Sequence, residues 1–89
     1  MVISSDIKSA IEKNMELMIN QTRVYLPFLQ VAFPGVRDLS ELTFNMMAGN
    51  ALTVFISQFA MRIQSPSESD FAEFGKILEP YRNKVKELF

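Results

Sequence analysis

The chain has no cysteine and no histidine among its 89 residues. The first absence rules out disulfide staples and leaves the redox compartment unreadable. Together they exclude Cys–His and Ser–His nucleophilic sites and the usual zinc sites, whose chemistry needs a thiolate or an imidazole. An excess of one charge is also missing. Nine basic and ten acidic residues give a net charge of -1, with no block of either sign. A nucleic-acid binder needs a positive footprint along the phosphates, so no nucleic-acid partner is expected. Neither GxGxxG, GxxxxGK[ST] nor an EF-hand loop occurs, so no cofactor is expected. The first residues, MVISSDIKSAIEKN, lack a basic n-region and an unbroken apolar run. They do not read as a signal peptide, and the expected location is cytoplasmic.

What remains is helical periodicity. The most apolar stretch, Leu42 to Ile63, holds a single charged residue, Arg62. Leu42, Met46, Gly49, Thr53, Ile56, Ala60 and Ile63 recur at spacings of four and three, which puts them on one helical face. The opposite face is also apolar, with Phe44, Met47, Ala51, Val54 and Phe55. A helix apolar all round is internal to a bundle, held at a subunit interface, or in a membrane. Asn45, Asn50, Ser57, Gln58 and Arg62 interrupt it, and Glu41 precedes it, so no membrane span is expected.

The flanking segments are more amphipathic. Before the central stretch, Ile7, Ile11, Met15, Met18, Thr22, Tyr25 and Leu29 form a stripe, with Ser4, Ser5 and Asp6 as cap candidates. Pro34-Gly35 is a stop and turn signal, and Asp38 with Glu41 has capping-box spacing. After the central stretch, Ser65 with Pro66 and Glu68 offers one helix start, and Ser67 with Asp70 another one turn later. Phe71, Phe74, Leu78, Tyr81, Val85 and Leu88 then make a second seam, through which Pro80 passes without breaking the period.

These patterns predict an all-α fold occupying one domain, 1–89. The expected architecture is a three-helix antiparallel bundle with helices near 5–33, 39–64 and 66–88. Kinks are expected at Pro27 and Pro80, since proline removes a helix donor. Eighty-nine residues give only a marginal core, and two flanking helices can cover one face of the central helix but not both. The uncovered face would be an exposed apolar patch. Pairing two copies about a two-fold axis would bury it, so the chain is expected to be a homodimer joined in a larger helical bundle. The candidate dimer residues are Asn45, Gly49, Thr53, Ile56 and Ala60, whose small members let backbones approach closely. In the alternative arrangement Gly49 packs under the first helix, and Met47, Val54 and Phe55 meet the partner.

The function expected from this is a non-enzymatic protein-interaction or scaffold module acting as a homodimer, whose partner is itself and whose role is either to bind another protein or to scaffold. The second reading starts from six methionines and eight phenylalanines. Met is adaptable and common at binding surfaces, so Met18, Met47, Phe55 and Phe59 are candidates to line an apolar small-molecule pocket in a carrier or sensor. Two carboxylate pairs, Glu12 with Glu16 and Asp70 with Glu73, and one basic cluster, Arg82, Lys84 and Lys86, are the other groups with chemistry. Each also reads as an ordinary solvated helix face. No metal site is expected from them.

Overall fold

Three side-chain caps set where the helices begin. The computed structural model describes residues 3–89; Met1 and Val2, which the expected single domain includes, lie outside the described residues. The helices are α1 (Ser5–Ala32), α2 (Leu39–Met61) and α3 (Glu68–Lys86), and no strand occurs among the described residues. The fold is all-α. At the head of α1 the Ser4 hydroxyl accepts from the Ile7 N–H at 3.4 Å. At the head of α2 the Asp38 carboxylate accepts from the Ser40 hydroxyl at 2.8 Å and from the Glu41 N–H at 3.1 Å. Those two bonds, the Ser40 hydroxyl foremost, hold its pKa below the usual carboxylate value. Glu41 does not complete the expected capping box, because its carboxylate is paired with Arg82 on α3.

The third helix starts later than the Pro66 boundary. Its N-cap is Ser67: the Asp70 N–H donates to the Ser67 hydroxyl at 3.2 Å, and the Ser67 N–H donates to the Asp70 carboxylate at 2.8 Å. Two orphan donors are satisfied reciprocally, which a cap at Ser65 with Glu68 would have to match. Asp70, half of one candidate carboxylate pair, is therefore a structural cap. The second helix ends three residues short of the expected 64. The Gln64 N–H reaches the Phe59 carbonyl and the Ile63 N–H the Ala60 carbonyl, the pairing of a Schellman stop. That stop needs a left-handed residue, and Ile63 takes it at φ 55°. Both prolines lie inside helices that continue past them.

Phe55 on α2 is fully buried, and its ring centroid lies 5.3 Å from Phe71 and 4.8 Å from Phe74 on α3. Farther along, Glu41 of α2 meets Arg82, so α2 and α3 run in opposite directions. Glu16 of α1 meets Lys84 of α3 at 3.3 Å. Lys8 and Glu12 lie beside Glu73, Lys76 and Ile77, so α1 and α3 run the same way. Ile7, Ile11, Met15 and Ile19 of α1 join Phe44, Met47, Ala51, Phe55 and Phe59 of α2 in one core. Phe74, Ile77, Leu78, Tyr81 and Val85 of α3 complete it.

Two residues depart from the expected seams of the flanking helices. Tyr25 is 60% exposed and Phe71 44% exposed. The last turn of α3 lies beside Asn20 and Arg23 of α1, and Phe89 beyond it lies near Gln30.

Candidate functional site

The two faces of α2 have opposite fates. Thr43, Phe44, Met47, Ala51, Phe55 and Phe59 turn inward. The seam read from the 4-3 spacing turns outward: Met46, Gly49, Thr53, Ile56, Ala60 and Ile63 are exposed, and Leu42 is half-buried. All five dimer candidates, Asn45, Gly49, Thr53, Ile56 and Ala60, therefore lie on the surface. The Thr53 hydroxyl is occupied, donating to the Gly49 carbonyl at 3.3 Å. Apart from the backbone of its own helix and its chain neighbours, a Cβ on Gly49 would meet no atom within 4 Å.

That finding separates the two arrangements weighed from the sequence. Gly49 does not pack under α1, and Met47 and Phe55, the residues that would then meet a partner, are buried at 4% and 0% exposure. The physical reason is volume. The three phenylalanines and Met47 fill the space between three helices, which the smaller residues of the outward face cannot.

The four pocket candidates are core residues. Met47, Phe55 and Phe59 are buried, and Met18 packs against them half-buried. The Phe55 and Phe59 rings meet edge to face with centroids 5.2 Å apart. The molecule's clefts lie elsewhere. One of ≈ 390 Å³ between α1 and α3 is open and lined by Glu16, Ile19, Asn20, Arg23, Lys84, Glu87 and Leu88. Its groups of both signs form no single recognition pattern.

The charged candidates are accounted for within the fold. The Arg82 guanidinium meets Glu41, lies 2.9 Å from the Glu79 carboxylate, and sits 4.5 Å from the centre of the Phe44 ring. Lys84 meets Glu16 and lies 4.9 Å from the centre of the Tyr81 ring. Burial, with the Glu16 and Glu12 carboxylates nearby, pushes the Tyr81 phenol up to about 12. These exposed pairs hold orientation more than they stabilise, since water screens them. Among the described residues, no group of three or more Asp or Glu side chains is placed to hold a metal ion. No helix among them is long and apolar enough to cross a membrane.

A second exposed apolar strip was not anticipated. Leu17, Val24, Phe28 and Val31 of α1 are exposed, and with Gln21 they repeat at 4, 3, 4, 3. The sequence carried a signal for it: from Leu17 to Val36 the only charged residue is Arg23. A surface helix half that is nearly free of charge is unusual. Ile63, the last member of the periodic face of α2, is 96% exposed in a left-handed conformation that its spacing does not indicate. No protein-family model, curated protein or solved structure matches this chain.

Proposed function

We propose that the chain is a non-enzymatic helical interaction module that acts as a homodimer through the outward face of α2. The observation that carries this reading is Gly49. It stands mid-helix, where glycine costs about 1 kcal/mol relative to alanine, and nothing inside the protomer requires it to be small. A close crossing with a second helix gives it a reason. The surrounding Asn45, Thr53, Ile56 and Ala60 present no charge, so an identical face meets no like-charge repulsion across a two-fold axis.

A bend in α1 at Pro27, which cannot donate to the Arg23 carbonyl, belongs to the same reading, as does one in α3 at Pro80. Arg82 and Lys84 are engaged by carboxylates, which favours a protein partner over a polyanion. No observation of that kind favours the carrier reading, whose four residues fill the core.

Light scattering tests the proposal. The wild type is expected to be a dimer at tens of micromolar, and Gly49→Leu a folded monomer. The substitution appears twice at a symmetric crossing, while within the protomer it meets open space and gains helix propensity. A wild-type monomer at that concentration defeats the reading.

A further inference from the structure

Resting on that homodimer, we propose that each protomer grips its copy with two helices: the exposed strip of α1, Leu17, Val24, Phe28 and Val31, joins the outward face of α2. The first support is where the strip lies. The residues of α1 beside α3 are Lys8, Glu12, Glu16, Ile19 and Arg23. At about 100° per residue, the strip sits roughly 130° around the helix from them. On α2, Phe44 and Phe55 touch α3, and Met46, Thr53 and Ala60 lie roughly 170° around the helix from that pair. Both apolar strips are therefore turned away from α3. On two adjacent helices packed against a common third, they form one flank.

Charge points to a second copy as the occupant. Between Leu17 and Met61 the charged residues are Arg23, Arg37, Asp38 and Glu41. Arg23 lies on the α3 side, and the other three lie in the turn and first coil of α2. The flank between them offers a charged partner nothing to pair with and offers an identical flank nothing to repel it. Steering groups that would select a different protein are on the opposite side of the molecule, along α3.

Area points the same way. A stable interface buries about 800 Å² per partner. One helix strip over residues 45–60 is about 24 Å long and about 10 Å wide, far below that figure. The flank made by two helices runs the long dimension of the protomer, which measures 41 × 20 × 19 Å. Its footprint reaches the required order. A dimer held by α2 alone would also leave Val31, 77% exposed, and its three companions in water.

The test is sedimentation equilibrium on the wild type and on Gly49→Leu, Phe28→Glu, Val24→Glu and Lys76→Ala, with circular dichroism to verify helix content. Phe28 and Val24 are exposed, so a charge there leaves the protomer folded. Each glutamate is expected to weaken the dimer at least tenfold, and Lys76→Ala on α3 to leave it unchanged. A dimer split by Gly49→Leu but unaffected by both glutamates would overturn the α1 contact and leave the homodimer standing. A wild-type monomer, including one that takes up a helix of another protein on this flank, would overturn both.

Discussion

The second and third helices carry seams of the same spacing and put them to opposite uses. On α3, Phe74, Leu78, Tyr81 and Val85 are buried with the cap Asp70, and the other faces hold eight charged residues between Glu68 and Glu87. On α2, the seam from Met46 to Ala60 is outside, and the inside is filled by a different set of residues. The difference teaches what periodicity encodes. A 4-3 repeat says which residues share a face. Which way that face turns is settled by contrast with the rest of the helix. Charge on the other faces of α3 leaves its seam one place to go. The other face of α2 is apolar too, and the bulkier side chains take the core because they fill it at native density.

The sharpest way to break the comparison is to truncate each seam at its middle. Leu78→Ala, at a position 5% exposed, is expected to cost about 2–5 kcal/mol, as lost transfer energy plus a residual cavity. Lys84→Ala on the same helix is expected to stay within about 0.5 kcal/mol. In a monomeric Gly49→Leu background, Ile56→Ala on α2 should likewise change little, since no core space is emptied. Urea denaturation measures all three. Equal losses at Leu78 and Ile56 would mean that the two seams are equivalent after all.

A smaller effect tests whether the α3 seam is as dry as its packing implies. The Tyr81 phenol is raised from 10.0 to about 12, by burial first and then by Glu16 and Glu12. Below pH 10 the phenol is protonated in both folded and unfolded chains, and its contribution to stability is complete. Between pH 10 and about 12 the unfolded chain gives up the proton while the folded one keeps it. Stability therefore falls as pH rises through that window. Tyr81→Phe should remove this share of the alkaline loss. Absorbance titration in a Tyr25→Phe background isolates the phenolate of Tyr81. A midpoint near 10 in the folded protein would show that water or a cation reaches the hydroxyl.

Much of the fold was legible, and the reasons are local. Ser4 and Asp38 read as caps because a short polar side chain precedes an apolar period, and they act as caps. Ser67 was visible only as a competitor of Ser65. The choice between them depends on whether Asp70 can fold back onto the Ser67 N–H, a matter of geometry that spacing leaves open. The outward face of α2 was read as a set before its direction was known. The exposure of the α1 strip was not legible, because it follows from which sides of α1 the other two helices pack against. Where neighbouring helices pack is a tertiary fact. The short charge-poor run from Leu17 to Val36 hinted at it, but buried helices look the same.

The least expected effect concerns the end of α2, where the comparison can be sharpened at one residue. Ile63 adopts φ 55° with its side chain 96% exposed. A β-branched residue is poorly suited to the left-handed region, at a cost of about 1–2 kcal/mol. Glycine is the usual occupant of this position in a Schellman stop. Glycine also gives the unfolded chain more freedom, which offsets about 0.5–1 kcal/mol of the gain. Ile63→Gly is therefore expected to stabilise the protomer by about 0.5–1 kcal/mol, measured by urea denaturation in the monomeric Gly49→Leu background. If Ile63 extends the outward face of α2, the same substitution in the wild type should weaken the dimer. Opposite signs in the two measurements would mark Ile63 as a residue held in strain for contact with a partner. A loss of protomer stability on Ile63→Gly would instead show that the isoleucine side chain packs within its own chain, and the end of α2 would no longer belong to the exposed face.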